Sequence, residues 1–322
     1  MTNFEAIDWN HIEDPVDLDV WDRLKSNFWV PEKIALSNDL KSWDNLPRSE
    51  KERLKKVFVG LTLLDTLQCE QGAPAMQARA KNKHEAAVFA NISFMEAIHA
   101  QSYSSIFSTF CSSQEIIDLF EWAKNDEHLQ AKARAVARFY CDDHPEQMLD
   151  AMQKAASVLL ESFLFYSGFY LPLKYSSEST LTNTADIIRL IMRDEGVHGF
   201  YIGYKYQQIR SGFNDVMQGA LDSRVRVLAN DLFNIEMSYT DRLYEGTSMI
   251  SNVKRYLRYN YNKALDNLGY RSHGWKKDDA TPESAILSQM AIDANETHDF
   301  FSGSGSSYVV GKVEETDDDD WS

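Results

Sequence analysis

The hydrophobic positions of this chain recur every three or four residues over long stretches, which is the period of a helix rather than of a strand. Proline, which breaks helices, does not occur from Ala75 to His144 or from Leu173 to Thr281. No strict heptad persists, so the pattern favours a multi-helix bundle over a coiled coil. The predicted helices span Ser49–Gln71, Lys83–Cys111, Gln114–Lys124, Leu129–Cys141, Glu146–Tyr170, Asn183–Arg210, Asn214–Glu245 and Asn252–Leu268.

The last part of the chain has a different composition. From Phe301 a Gly/Ser-rich stretch leads into a run of acidic residues, which has too little apolar surface to fold alone. Tyr308 and Trp321 place aromatic groups in this polar sequence that a simple spacer does not need. We therefore predict one helical domain over residues 1–290 and a flexible acidic tail over residues 291–322 that docks on a partner protein.

Charge and cysteine content exclude several classes of function. The 322 residues carry a formal net charge of −16 and no cluster of Lys and Arg, which argues against binding to nucleic acid or to an anionic membrane. The acidic residues near the amino end, where a targeting signal needs basic and apolar ones, favour the cytoplasm. Cys69, Cys111 and Cys141 form no CxxC pair, so we expect no disulfide framework, zinc site or dithiol redox centre.

One apolar stretch, residues 155–173, could be mistaken for a membrane span. Its one charged residue is Glu161, and a carboxylate at the centre of a bilayer is costly. Gly168 and Pro172 further weaken a continuous spanning helix. We therefore expect a helix that is buried inside the protein.

Two copies of the pattern ExxH indicate metal chemistry. Glu96 and His99 lie three positions apart in FMEAIHAQSY, and Glu195 and His198 have the same spacing in RDEGVHG. Residues three apart share a face of a helix, so each pair can offer a carboxylate and an imidazole to the same point. A single ExxH is weak evidence, but both copies lie in apolar sequence where an unpaired carboxylate is costly to bury.

Two further acids, Asp65 in VGLTLLDTLQ and Glu161 in SVLLESFLFYSGF, also lie in apolar surroundings. Each could pair with an Arg from another helix. Together with the two ExxH pairs, however, they complete the dinuclear carboxylate pattern, in which two helices give one acid each and two others give Glu plus His. The resulting four carboxylates can neutralise two divalent ions.

The segments FWVPEKIALSNDL, LLDT, EAIHAQSY, LLESFLFYSGF and RDEGVHG resemble the small β subunit of class I ribonucleotide reductase, most closely its class Ib branch. The resemblance covers nearly the whole chain and implies an all-α, ferritin-like bundle. Related di-metal oxidases and ferritins usually have Glu as the first ligand, so Asp65 favours the reductase. The implied ligands are Asp65, Glu96 and His99 at one metal and Glu161, Glu195 and His198 at the other, with Glu96 and Glu195 expected to bridge or shift.

The resemblance also implies redox roles for four residues. Tyr103, one helical turn after His99, matches the position at which the family stores a tyrosyl radical. Trp29 and Asp194 match a hydrogen-bonded path that includes the first-site histidine, and Tyr308 matches a tail tyrosine that passes the oxidation to the partner. A radical needs protection from reductants, and the sequence provides apolar residues for this: Phe165, Phe169, Ile188 and Ile191.

The chain has no phosphate-binding Gly-rich loop and no cysteine pair, so substrate chemistry is expected in a partner. The resemblance implies a homodimer that carries manganese or iron, acts with a large subunit that reduces ribonucleoside diphosphates, and is activated by a small flavodoxin-like protein. Two alternatives remain at this point. One is a stand-alone di-iron oxidase or oxygenase, and the other is a ferritin-like metal-storage protein.

Overall fold

The structure is a computed structural model that describes residues 4–141, 146–270 and 274–297, and this part of the chain is helical without strands. The α-helices are α1 (Pro15–Ser26), α2 (Leu40–Asn45), α3 (Arg48–Leu67), α4 (Ala73–Ala78), α5 (Lys83–Phe110), α6 (Ser113–Asn125), α7 (Glu127–Tyr140), α8 (Glu146–Leu159), α9 (Tyr166–Ser177), α10 (Thr182–Ser211), α11 (Asp215–Leu243), α12 (Ile250–Asn267), α13 (Lys277–Ala280) and α14 (Ser284–Thr297). Two π-helical segments, Gln68–Gly72 and Leu160–Leu164, follow α3 and α8.

The centre of the bundle is formed by α3, α5, α10 and the α8–α9 run. Helix α3 packs on α5 and α9, while α10 packs on α8 and α9. Helices α7, α11 and α12 cover the α8–α9 run from the other side. The apolar side chains of these helices form one continuous core. The all-α, ferritin-like fold predicted from the sequence is therefore confirmed.

Several elements differ from the predicted helices. Helix α1 was not predicted, although Asp14 accepts a hydrogen bond from the amide of Val16 and Pro15 occupies the first turn, which are ordinary start signals. The π segments interrupt two helices that were predicted to be regular. Helix α9 continues past Pro172 to Ser177 because Leu171 and Leu173, both fully buried, offset the cost of a proline inside a helix.

Helix α10 begins at an unusual cap. Its N-cap residue Leu181 has a left-handed backbone (φ 52°) and makes no side-chain cap. The buried carboxylate of Asp39, from the 3₁₀ segment Leu36–Asp39, takes over this role: it accepts hydrogen bonds from the Thr184 amide at 2.7 Å and the Thr184 hydroxyl at 2.8 Å. A residue distant in sequence thus fixes where α10 starts.

One stretch, Gln147–Ser177, is long and apolar enough to cross a membrane, but its most apolar part is entirely buried inside the bundle. This agrees with the buried helix expected around Glu161.

The boundary predicted between residues 290 and 291 lies inside α14, which runs from Ser284 to Thr297. Tyr308 and Trp321 lie outside the described residues. The flexible tail therefore stays a prediction.

The tight contact of α10 with α12 at Gly203 is tested by Gly203→Ala. A Cβ atom at Gly203 would lie 2.4 Å from the backbone oxygen of Asn267, so the helices must move apart. We expect the free energy of unfolding to fall by about 1–3 kcal/mol. In the control Gly219→Ala, on the exposed face of α11, a Cβ meets no atom within 4 Å, and stability should rise by up to about 1 kcal/mol. Urea denaturation of both variants measures this, and an unchanged stability of Gly203→Ala would contradict it.

Candidate metal centre

The six predicted ligands come from the four central elements and meet inside the bundle. Their positions are Asp65 on α3, Glu96 and His99 on α5, Glu161 in the second π segment, and Glu195 and His198 on α10. All six are completely buried. They form two groups that could each hold a metal ion, with Glu96 and Glu195 in both.

The first group surrounds the imidazole of His99. Its Nδ1 lies 3.1 Å from Oε1 of Glu195, 3.6 Å from Oε2 of Glu96 and 4.0 Å from Oδ1 of Asp65. Because the other ring nitrogen faces Asp194, Nδ1 is the atom that points toward the carboxylates. One nitrogen and three carboxylates thus converge on one point.

The second group has the same form around His198. Its Nδ1 lies 3.0 Å from Oε1 of Glu96, 3.3 Å from Oε2 of Glu195 and 3.6 Å from Oε2 of Glu161. Glu96 and Glu195 each turn one oxygen toward His99 and the other toward His198. This arrangement suits two carboxylates that bridge a pair of cations.

The hydrogen bonding of these side chains fits a metal site. Both oxygens of Asp65, Glu96 and Glu195 are buried without a hydrogen-bond partner among the described residues. The Nδ1 atoms of His99 and His198 are also without one. Unsatisfied buried carboxylates are costly, and no Arg in the described part of the chain supplies the hydrogen bonds that the alternative interpretation requires. Carboxylate and imidazole groups at this density form a buried set suitable for a dinuclear metal site.

Burial also shifts the pKa values of the side chains in these two groups. Burial, with the added negative charge of Glu96, raises the pKa of Asp65 well above its ordinary value. Burial also raises the pKa of Glu161, assisted by the charges of Glu195 and Glu96. Burial opposes a charged His99, but hydrogen bonding to Asp194 and the nearby carboxylates raise its pKa overall. The cluster alone therefore retains protons that bound cations would replace.

Tyr103 lies on α5 one turn after His99 and is fully buried. Its hydroxyl has no hydrogen-bond partner among the described residues, and its ring stacks on Phe58 with centroids 6.1 Å apart. Burial raises the pKa of Tyr103 well above its ordinary value, and the charge of Asp65 adds to this. The phenol is therefore neutral at rest. The four residues expected to protect it, Phe165, Phe169, Ile188 and Ile191, are also fully buried.

Trp29, Asp194 and His99 form a continuous hydrogen-bonded chain. The indole Nε1 of Trp29 donates to Oδ2 of Asp194 at 2.7 Å, and the same oxygen lies 3.2 Å from Nε2 of His99. The Trp29 and His99 rings also stack, with centroids 6.0 Å apart. Trp29 is 7% exposed whereas His99 is completely buried, so this chain leads from the site toward the surface.

Sequence reasoning missed Gln68. Its side-chain amide donates to Oε1 of Glu161 at 2.5 Å, and its oxygen accepts from the hydroxyl of Tyr140 at 2.8 Å. A Cβ atom at Gly72 would lie 1.9 Å from this amide oxygen, so only glycine leaves room there. The spacing of Gln68 three residues after Asp65 was a possible signal, because it places both on one face of the chain.

Known proteins provide an independent comparison. Residues 6–279 match the family described as "Ribonucleotide reductase, small chain". The ribonucleoside-diphosphate reductase subunit beta nrdF2 of Mycobacterium tuberculosis is 51% identical over 316 residues, which are 98% of this chain and 96% of that protein. The ribonucleoside-diphosphate reductase 2 subunit beta of Escherichia coli is 50% identical over 321 residues, 100% of this chain and 99% of the relative.

A solved structure agrees with these relatives. The X-ray structure of dimanganese(II)-NrdF from Streptococcus sanguinis superposes with a TM-score of 0.84 at 43% identity, covering 89% of this chain and 100% of that one. Sequence family, curated relatives and fold thus point to one assignment over nearly the full length. The chain belongs to the ribonucleotide reductase small-chain family, most like its class Ib branch, as the β subunit of a ribonucleoside-diphosphate reductase.

Proposed function

We propose that this subunit binds two manganese or iron ions and uses them to form and store a radical on Tyr103, which starts ribonucleotide reduction in the large subunit. One observation carries the proposal: the two carboxylate–imidazole groups have Glu96 and Glu195 in common. Glu96 lies on α5, the helix that also carries Tyr103, and Glu195 lies on α10. When bound, the metal pair would supply the one-electron oxidising power that a phenol requires.

In this proposal the charges of the ligands balance those of the two metal ions. The carboxylates of Asp65, Glu96, Glu161 and Glu195 would supply four negative charges, and two divalent cations would neutralise them in a core that excludes water. Glu96 and Glu195, which belong to both groups, would help to hold both cations. Neutral His99 and His198 would complete each set through Nδ1.

Storage depends on what surrounds Tyr103. The hydroxyl keeps its proton at rest, since burial and nearby carboxylates disfavour the phenolate; on oxidation the proton would leave with the electron, toward those carboxylates. Without a hydrogen-bond partner among the described residues and with no exposed surface, the oxidised ring would meet few hydrogen donors or reductants. These features support Tyr103 as the storage site.

For export of the oxidising equivalent we propose the chain from His99 through Asp194 to Trp29. Asp194 is well placed for this role because one oxygen faces both the indole N–H and the imidazole. Movement of a proton along these contacts could accompany movement of an electron. Tyr308, outside the described residues, is the proposed next carrier toward the large subunit.

Metal identity and activation rest on chemistry and resemblance. Carboxylate and imidazole ligands accept both metals, and intrinsic affinity ranks Mn²⁺ below Fe²⁺, so cellular supply would decide. The dimanganese(II) form of the Streptococcus sanguinis relative supports manganese as one form. From the class Ib likeness we propose activation of the manganese form by a small flavodoxin-like protein, in the cytoplasm.

Small subunits of this family act with a large subunit and are typically homodimeric. One face of α5 supports a homodimer here, since its exposed positions from Ala90 to Ser108 carry no charge. Phe94 is 50% exposed on this face and stacks on Phe28, itself 41% exposed, with ring centroids 6.0 Å apart. A second copy of the chain would remove these apolar groups from water.

The second metal position is tested by Glu161→Ala and His198→Ala. Either change removes a ligand and leaves the other acids less well neutralised, so bound metal should fall from about two ions per chain to about one. Metal analysis after loading with Mn²⁺ measures this. Asp194→Asn, which alters a buried acid outside both ligand groups, should keep both ions at excess metal. Two ions per chain in the alanine variants would remove these residues from the site.

The radical site is tested by Tyr103→Phe. The hydroxyl that is lost has no hydrogen-bond partner among the described residues, so fold and metal content should be unchanged while the electron paramagnetic resonance signal of the radical and nucleotide reduction disappear. Tyr256→Phe, at a second fully buried tyrosine outside the ligand groups, is the matched control and should keep both signals. Sustained reduction by Tyr103→Phe with its large subunit would place the stored oxidant elsewhere.

The tail is tested by two changes with separable effects. Deleting Val309–Ser322 should leave metal content and the Tyr103 radical intact but weaken binding to the large subunit. Tyr308→Phe keeps the aromatic contact, so affinity should change little, whereas turnover should stop because the redox-active hydroxyl is gone. Affinity and turnover are measured on both variants. Near-normal turnover of Tyr308→Phe at saturating partner would make Tyr308 a docking residue only.

A further inference from the structure

A buried ion pair lies outside the ligand groups and the Tyr103 site. The ammonium of Lys132 on α7 lies 2.6 Å from a carboxylate oxygen of Glu236 on α11, and these side chains are 3% and 0% exposed. The ammonium also lies over the ring of Tyr239, 4.7 Å from its centroid. Burial lowers the pKa of Lys132 and raises that of Glu236, because the protein interior disfavours the charged form of both groups. Apolar residues of similar size often replace such pairs without loss of stability.

The third contact of Lys132 indicates a purpose for the charge. Its ammonium donates a hydrogen bond to the backbone carbonyl of Leu164, the last residue of the π segment that contains Glu161. The regular hydrogen-bond pattern is broken here, since the amide of Gly168 donates to the carbonyl of Phe165 at 2.9 Å, three residues back rather than four. Lys132 thus contacts the backbone where the helix is irregular.

The π segment sets the direction of Glu161. A π turn holds one residue more than an α turn, and each residue in an α-helix turns the next side chain by roughly 100°. Relaxation of Leu160–Leu164 to regular α-helix would therefore rotate Glu161 relative to the residues that follow. Gln68 contacts Glu161 through its side chain, by donating a hydrogen bond to Oε1, and not through the backbone. The backbone requires its own support.

We propose that Lys132, held in place by Glu236, is a positioning residue that keeps the π segment in the geometry in which Glu161 faces Glu195 and His198. This inference rests on the proposed function, because it takes Glu161 to be a metal ligand. An ammonium suits the task because its three N–H donors can serve the Leu164 carbonyl and Glu236 at the same time. Glu236 compensates the charge that this donor brings into the core.

Three variants separate positioning from plain stability. Lys132→Met removes the donor and leaves Glu236 unpaired, Lys132→Met/Glu236→Met removes the donor and both charges, and Glu236→Gln keeps the donor beside a neutral partner. The full-length protein is freed of metal, titrated with Mn²⁺ and followed by electron paramagnetic resonance of free Mn²⁺. Thermal unfolding of the metal-free protein is measured in parallel. The group around His99 serves as an internal reference, since Lys132 touches none of its members.

We expect Lys132→Met to lower the melting temperature and the double variant to recover it, because paired removal leaves no uncompensated charge. Affinity at one of the two Mn²⁺ sites should nevertheless stay about tenfold or more weaker in both variants, as is usual when an outer support of a ligand is lost. Glu236→Gln should bind both ions more tightly than the double variant. A second apolar pair without a side-chain donor, Lys132→Leu with Glu236→Leu, replaces the double methionine variant if that one does not fold.

Full Mn²⁺ affinity at both sites in a stable double variant would overturn the positioning role and leave the pair structural. Glu161→Ala distinguishes this failure from failure of the proposed function. If Glu161→Ala loses one ion while the double variant does not, only the role of Lys132 is wrong. If Glu161→Ala also keeps both ions, the ligand assignment itself is wrong and the inference falls with it.

Discussion

The burial of four carboxylates at one point of the bundle is the constraint on which the rest of this structure depends. Asp65, Glu96, Glu161 and Glu195 have no exposed surface, and among the described residues they face two imidazoles and the side-chain amide of Gln68. A folded domain is stable by a few kcal/mol, about 5–15 in typical cases, and an uncompensated buried charge can consume much of that. Protons or cations must therefore be present in the site. The surrounding helices must also stay in place, because their movement apart would let water reach the carboxylates and remove the cost of burying them.

That resistance comes from contacts between residues distant in sequence. Helix α10, which carries Glu195 and His198, starts where Asp39 caps it and approaches α12 at Gly203. The acid Glu161 sits in a π segment, the kind of irregularity that often marks functional sites. The helix is irregular at Leu160–Leu164, and the Glu161 carboxylate there points into the bundle. Lys132 donates to the irregular backbone at Leu164, and Gln68 donates to one oxygen of Glu161.

The sequence predicted the parts of this design that are local. Helix period, the spacing of Glu96 with His99, and the position of Tyr103 one turn later depend only on residues a few positions apart. The isolated acids Asp65 and Glu161 were found because charge in an apolar helix is conspicuous. The π segments, the Gln68–Glu161 hydrogen bond and the Lys132–Leu164 contact were not predicted. They depend on which helices become neighbours, and no local period records that.

Metal occupancy and fold are linked by the way the ligands are distributed. Each of the two groups that could hold a metal draws side chains from three elements, so a bound cation would join helices that otherwise hold facing negative charges or shared protons. Binding would release those protons and favour the folded state by mass action. Tyr103 is different, because its hydroxyl has no hydrogen-bond partner among the described residues and adds little to this network. The proposed function thus separates two tasks within one helix: Glu96 and His99 would hold the bundle together through bound metals, while Tyr103 would be oxidised without disturbing them.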